Sequence, residues 1–547
     1  MQASARVLPA VIVCLGVLAA LAGCTDRRSP EEMKGTLVYG FSENFKTFDP
    51  VRQIYAQESA IIAQVLQPLV RWNQQMQLEP CLATAWETPD DCRTWIVHLR
   101  QGVWFHDGTP FTAAAVKRHF ERHLDPAVGS TRKKRVEMIR RVEILDDFTV
   151  AFHLDPPNCI FPEILASTAG HIPSPAALDR WGMDFGRHPV GTGPFEFVQW
   201  VPDVRIELRR NERYWNRDAI HLERLIFIPV PENTTRLILL EQGVLDMADV
   251  SFAHVGVARR VPEITLQSAQ QLSIRYIGFN TQKPPFNDRR VRQACNYAVN
   301  KDDIIRYMYF GVGVPAMGPL PAVMPDFNPA VRRYEYDPER AKALLAEAGY
   351  PDGFRATLWT TETGTYRIAA EATVDYLRRI GIQVEMKIID NAAYWDKFDE
   401  FLTRDGRMYP TKEGVYDIYI GGWVGGESPD GFLQPLFTTG SYSNSSFYSN
   451  PRVDELVKAY RLEPDPEKRR KMYLEIQQIV VEDAPWIFAF HGQVNAGLRD
   501  RVKGFQISPA GWYFFEGVTV DGGSGGEGDG GRLARGADAR ATGRRGR

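Results

Sequence analysis

Cysteine is scarce in this sequence, six in 547 residues, and no two stand in the C-x-x-C spacing of sulfur-ligated metal and redox sites. No bound metal or cofactor is therefore expected. An excess of one charge is also missing: 65 Lys and Arg against 68 Asp and Glu leave a formal net charge of −3. That removes any overall basic footprint for nucleic acid and leaves room only for a local patch. After the first 22 residues no run is long and apolar enough to cross a bilayer, and there is no internal repeat. What is present is a chain 44% hydrophobic and 11% aromatic, enough to fill a large core and still spare rings for a pocket. The length suggests roughly three or four domains of ~150 residues.

The two ends read as non-globular. Arg6 precedes an apolar stretch from Val7 to Ala22, and Leu21-Ala22-Gly23-Cys24 gives way to the polar Thr25-Asp26-Arg27-Arg28. A short apolar middle before small residues is a secretory signal, and Leu-Ala-Gly-Cys resembles a bacterial lipobox. The expectation is a signal peptide over 1–23, acylation of Cys24, a tethered linker over 24–35, and a protein in the periplasm or on the outer face of the cell membrane, held by its lipid alone. At the other end, residues 521–547 hold 10 Gly in 27 positions and no aromatic, the composition of a disordered tail. Its Gly522-Gly523-Ser524-Gly525-Gly526 matches G-x-S-x-G by composition alone, since a nucleophile elbow needs a strand before it and a helix after it.

In the body, helical and strand periods alternate. Trp95, Val97 and Leu99 face one way behind a Pro-Asp-Asp turn, which predicts a hairpin with the segment around Trp86. Asp337-Pro338 through Gly349 carries a cap, a proline at the first helical position, an apolar stripe (Ala341, Leu344, Leu345, Ala348) and a terminal glycine. A strand over 354–360, a helix over about 366–379 and the alternating Ile382, Val384, Met386 and Ile388 then form a strand–helix–strand unit, which implies parallel pairing. The class is α/β. With export expected, four remaining thiols could pair: Cys81 and Cys92 are nearest in sequence, and free buried thiols are the alternative.

Several stretches resemble the bacterial extracellular solute-binding proteins of family 5, the peptide- and nickel-binding group. Leu99-Arg100-Gln101-Gly102-Val103-Trp104-Phe105-His106-Asp107-Gly108-Thr109-Pro110 is similar to its LRxGVxFHDGxP signature. Gly191-Thr192-Gly193-Pro194-Phe195, Arg210-Asn211-Glu212-Arg213-Tyr214-Trp215 and Pro285-Phe286-Asn287-Asp288-Arg289-Arg290-Val291-Arg292-Gln293-Ala294 follow in the family's order. The resemblance implies a two-lobed periplasmic-binding-protein fold of type II with an inserted third subdomain: lobe I over 36–68, 193–279 and 496–520, the insertion over 69–192, and lobe II over 280–495, with a hinge at Asn280. It further implies a monomer that captures a small solute, in the first instance a peptide, and delivers it to an ABC permease and ATPase.

The implied pocket motif falls at Gly421-Gly422-Trp423-Val424-Gly425-Gly426-Glu427-Ser428-Pro429-Asp430. Gly422, Trp423 and Val424 would bond the solute through backbone. In peptide binders of the group an Asp three residues after the Trp holds the amino group. Gly426 stands there, and Glu427 is the candidate substitute. Where dipeptide binders place an Arg for the far carboxylate, this sequence has Thr360, Thr361 and Glu362, with Arg355 or Arg367 as possible replacements. Free dipeptides are therefore less favoured than longer peptides or a non-peptide solute such as an oligosaccharide, opine or metal chelate. Trp359, Tyr366, Tyr394, Trp395 and Trp512 are candidate pocket rings, with Tyr394 taken as a binding residue, although large aromatics more often fill a core.

Rival readings are weaker. His119 and His123 share a helix face, but the Glu of H-E-x-x-H is misplaced, so a solvated basic face is expected. His106-Asp107 suits a turn better than a catalytic triad. No nucleophile or acid–base pair with supporting context emerges, so catalysis, as in an exported hydrolase, is not expected.

Overall fold

Thr36–Phe41 reads TLVYGF and is buried at every position, as a central strand covered on both faces must be. It pairs in parallel with Arg224–Pro229 and Met247–Asp249. The computed structural model describes residues 34–53, 56–394, 402–403, 407–408, 416–441 and 443–521. Cys14, Cys24, Trp395 and the glycine-rich stretch from Gly522 lie outside the described residues. Around Thr36–Phe41 the first sheet has seven strands, in the order Phe195–Val201, Arg205–Arg210, Arg224–Pro229, Thr36–Phe41, Met247–Asp249, Gln493–Arg499, Ile264–Gln270.

A second sheet runs Val314–Pro315, Trp486–His491, Ser273–Phe279, Ile418–Val424, Arg355–Thr361, Gln383–Ile389. Its last two strands are parallel and joined by the helix Gly364–Arg379, as the periodicity predicts. The preceding helix spans Pro338–Glu347, with Asp337 accepting from the Arg340 amide at 2.9 Å and Ala341, Leu344 and Leu345 buried. Asp288 caps the helix Arg289–Ala298 in the same way. There the motif's Arg292 and Gln293 turn inward to the carbonyls of Asp483 and Glu482, at 2.6–2.9 Å.

The chain changes sheets twice. Ile264–Gln270 lies in the first sheet and Ser273–Phe279 in the second, while Trp486–His491 lies in the second and Gln493–Arg499 in the first. The Gln271 amide donates to the Gly492 carbonyl at 2.9 Å, so the crossings are side by side. This corrects two expectations. The second lobe takes in Ser273–Phe279 and ends at Gly492, rather than covering 280–495. Asn280 follows a strand already inside that lobe; it is buried there, its amide donating to Asp417 O at 2.9 Å, and it is not at the crossing.

The insertion is a four-stranded antiparallel sheet, Ala83–Glu87, Thr94–Leu99, Thr149–Leu154, Ile139–Asp146, including the predicted hairpin with Trp95, Val97 and Leu99 buried. The helix Ala113–Leu124 contributes Val116 and Phe120 to its core. That core runs from Leu69 to Ile172, whereas Ala177, Leu178 and Phe185 pack into the first lobe, so the insertion ends short of residue 192. Its seam with lobe I is built from the signature residues. His106 Nε2–H donates to Gly193 O at 3.0 Å, as does Asn211 Nδ2. Gly193 is obligatory because a Cβ there would collide with the Gln64 and Val65 backbone. Asp107 accepts from Thr109 and Ser174 rather than from His106, which is the turn role expected of it.

The disulfide is Cys92–Cys159, with Cα atoms 5.0 Å apart, and Cys81 and Cys295 are free and buried. The pairing of Cys81 with Cys92 fails because Ala83–Glu87 runs extended between them and carries the chain about 17 Å away. Among the described residues no helix is long and apolar enough to cross a membrane. The bond closes a loop of sequence separation 67. Replacing Cys92 and Cys159 together by Ser should cost about 2–4 kcal/mol of stability, read by urea unfolding of the oxidised protein, and a reductant should then leave the double variant's transition unmoved.

Candidate functional site

A cavity of about 280 Å³ opens where the two lobes and the insertion meet. Lobe I and the insertion supply Ser59, Arg132, Arg135, Ser167, Thr168 and Ala169; lobe II supplies Val424, Gly426 and Glu427; the returning segment closes it with Ala510, Gly511 and Trp512. The lobe II rim leaves the end of Ile418–Val424 through Gly426, whose φ of +77° turns the chain so that Glu427 faces the opposite lobe. Glu427 Oε1 accepts from Trp512 Nε1–H at 2.7 Å, and the Trp512 ring stacks on His171 (5.9 Å, 19°). Asp430, three residues on, is committed elsewhere: it accepts from Arg461 twice at 2.7 Å and from Tyr460.

The opposite wall rests on two histidines. His119 and His123 are both fully buried, which corrects the solvated basic face expected for them. The helix Ala113–Leu124 turns that face onto the insertion and lobe I. His119 Nε2–H donates to Ala169 O at 2.7 Å. His123 Nδ1 is hydrogen-bonded to Ser130 Oγ at 2.8 Å, and that oxygen accepts from the Arg132 amide at 3.2 Å. Burial, helped by Arg122, pushes His123 down to about 4, and burial holds His119 well below its ordinary value. Both rings are neutral supports under the cleft wall, and among the described residues no third ligand joins them in a metal site. Beside them Arg122 makes a bidentate pair with Asp49 (2.6 and 2.7 Å), with 10% and 1% of the side chains exposed.

Of the residues expected to bind solute, Val424 and Glu427 line the cavity and so does Trp512. Gly422 lies beside Arg275 and does not line it. Trp423 packs against the lobe II core and donates Nε1–H to Gly431 O at 2.8 Å, bracing the rim loop from behind. Tyr394 is fully buried, its hydroxyl donating to Ile420 O at 2.6 Å; it is a core residue. Glu362 is exposed just past the end of Arg355–Thr361 and does not line the cavity. Arg355 is exposed as well, and Arg367 pairs with Glu371 at 2.8 Å. Sequence reading missed Ser59, Arg132, Arg135, Ser167 and Thr168. The available signal was the consecutive basic run Arg132-Lys133-Lys134-Arg135, the local patch that a balanced total conceals.

Contacts between insertion and lobe II flank the cavity. The Cys159 amide donates to Arg461 O at 2.7 Å, and Ser428 Oγ is hydrogen-bonded to the Glu163 carboxyl. Burial pushes Glu163 up to about 7. Between its ordinary 4.5 and 7 the folded chain holds a proton that the unfolded chain has lost, so the fold loses stability as pH rises through that window and the buried carboxyl ionises, a loss the Ser428 hydrogen bond opposes only in part. Glu163→Gln keeps the neutral shape without the titration. The stability of wild type minus variant, from urea midpoints, should fall as pH is raised from 4.5 to 7; a flat difference contradicts the assignment.

Comparison with known proteins agrees with this architecture. The family described as bacterial extracellular solute-binding proteins, family 5 Middle, matches residues 77–444. The glutathione-binding protein GsiB of Pectobacterium atrosepticum is 32% identical over 514 residues, 92% of this chain and 97% of that protein. HbpA2 from Haemophilus parasuis superposes with a TM-score of 0.82 at 28% identity, over 89% of this chain and 100% of that one. The periplasmic binding protein DppA from Helicobacter pylori, in complex with the peptide STSA, gives 0.70 at 28% identity over 90% and 99%. The chain belongs to the bacterial extracellular solute-binding proteins of family 5.

Proposed function

We propose that this protein captures a peptide or peptide-like solute between its lobes, outside the cytoplasmic membrane, and delivers it to an ABC importer. The observation that carries the reading is the cavity itself: its lining comes from both lobes, and the lobes are joined by two adjacent strand crossings. Rotation at Gln271–Leu272 and Gly492 opens or closes such a site while each sheet stays intact. Glutathione is the first solute to test, because the 32% identical relative is a glutathione-binding protein. Capture needs no bond making, so no turnover accompanies it. Acylation at Cys24 would hold the protein, as a monomer, close to the permease it serves.

Trp512 reports on the reading directly, since its indole faces the cavity and bonds Glu427. Glutathione titrated into the full-length protein in mild detergent should give a saturable change in tryptophan fluorescence that is lost in Trp512→Phe. At about 100 times the dissociation constant it should stabilise the fold by about 2.7 kcal/mol. A slow loss of intact glutathione in the presence of protein would instead indicate an enzyme, and the absence of binding by any peptide would reject peptide capture. Cys24→Ala should move the protein from the membrane fraction to the soluble one on cell fractionation; unchanged membrane retention would reject the anchor.

A further inference from the structure

We infer that Arg132 and Arg135 form the carboxylate-binding wall of the cleft, so that the captured solute is an acid whose free carboxylate is held by the lobe I side while its donor end meets Glu427. This rests on the capture reading above and names the chemical class that the same site selects.

The first support is an imbalance of charge in the cavity. Its lining carries two guanidinium groups against one carboxylate, and that carboxylate already accepts from Trp512 on one oxygen. Among the described residues neither guanidinium forms an ion pair with a carboxylate. Arg132 donates from Nη2 to the neutral amide Gln53 Oε1 at 2.6 Å, while its Nε is buried with no hydrogen-bond partner. A carboxylate, with about four lone-pair directions, satisfies a guanidinium fork better than water does. Burial and the neighbouring Arg135 hold Arg132 below its ordinary value; the Glu58 carboxylate offsets part of this through space without forming an ion pair with it.

The second support is the set of hydroxyls beside the arginines. Ser59 Oγ and Thr168 Oγ1 are 3.0 Å apart. Whichever donates, the other keeps its own hydrogen for an acceptor in the cavity. Ser167 Oγ–H is spent on Ile164 O at 2.7 Å. Two guanidinium groups and one hydroxyl donor thus converge on the same wall. The segment is held there by Thr131, whose amide and hydroxyl reach Val51 O and Gln53 O at 2.9 and 2.8 Å.

The third support is the removal of rivals in lobe II. Arg355 is exposed and Arg367 is paired with Glu371. Arg275 lies over the Tyr366 ring at 5.9 Å, in a separate cavity of about 20 Å³. Among the described residues no other arginine lines the cleft cavity.

The test is calorimetric titration of the full-length protein in detergent with glutathione, glutathione diethyl ester, Ala-Ala-Ala and Ala-Ala-Ala amide, on wild type, Arg132→Gln and Arg135→Gln. The acids should bind, Arg132→Gln should weaken them roughly 30-fold and Arg135→Gln roughly 10-fold, and the ester and amide should bind weakly and equally to all three proteins. Arg135 is exposed and makes no side-chain bond among the described residues, so its variant keeps the test sound should Arg132→Gln fold poorly. Ester or amide binding as tight as the acids, or acids indifferent to both substitutions, overturns the wall. If no peptide of either kind binds, peptide capture fails and citrate decides the inference. Thermal protection by citrate that is present in wild type and lost in both variants sustains it. No protection, or stronger protection by inorganic phosphate than by citrate, overturns it.

Discussion

Everything in the molecule depends on two neighbouring strands that belong to both sheets. Gln493–Arg499 pairs with Ile264–Gln270 in lobe I, and the same two chain segments pair again as Trp486–His491 and Ser273–Phe279 in lobe II. Between them only Gln271, Leu272 and Gly492 are free of either sheet. Ladder hydrogen bonds make each sheet stiff along its strands, so a change in the angle between lobes has to be absorbed in those few residues. The crossing is nevertheless specific. Gln271 N–H bonds Gly492 O, and the buried His491, pushed down to about 4 by desolvation, donates from Nδ1 to Ser273 O at 2.8 Å. A neutral ring buried beside a bend ties the two strands without adding a charge that would have to be solvated when the lobes move.

The insertion explains why so many signature residues lie far from the cavity. A subdomain carried on lobe I has to be fixed to it, or the cleft wall it supplies would wander. The Phe105–Pro110 turn, the Gly191–Phe195 turn and the Asn211–Trp215 turn converge to do this, through His106, Gly193 and Asn211. Gln67 accepts from Trp215 Nε1 at 3.0 Å and donates to Tyr214 Oη at 2.9 Å in the same seam. The Arg122–Asp49 pair adds a second fixture on the far side of the helix Ala113–Leu124. Losing one partner of a pair that buried would strand the other charge at a cost of about 3–5 kcal/mol, a constraint on position as much as a source of stability.

The α/β class, the hairpin, the capped helix at Asp337 and the parallel unit over 354–389 were legible because each depends on local periodicity or on a cap within a few residues. The bend residues and the disulfide were not, because pairing of strands distant in sequence decides them, across ~200 residues at the bends and a separation of 67 at the disulfide: Asn280 looked terminal only while Ser273–Phe279 was assigned to the wrong sheet. Burial misled in both directions. His119 and His123 looked solvated because their neighbours Lys117, Arg118 and Arg122 are basic, yet those cations point away or into an ion pair while the imidazoles go inward. Tyr394 looked like a pocket ring, but its hydroxyl finds a backbone acceptor in the core. At the cleft, Glu427 and Val424 could be reached from one motif. The arginines could not, since residues 59, 132, 168, 427 and 512 meet only after three separate folding units have packed.

The asymmetry of the cleft bears on how such a protein distinguishes loaded from empty. Closing lobes over two guanidinium groups strips water from like charges, and the cost of that desolvation is only partly offset by Glu427 across the cleft and by Glu58 behind Arg132. An anion seated between the walls supplies the missing counter-charge at the place where the dielectric drops on closure, so its attraction grows as the lobes approach. If the arginine wall is the carboxylate site, closure is conditional on cargo for an electrostatic reason, and a neutral solute of the same shape would fill the space without releasing the repulsion. Selection for charge and control of the lobe angle are then one property of Arg132, Arg135 and Glu427, set by how few counter-ions the chain places around them.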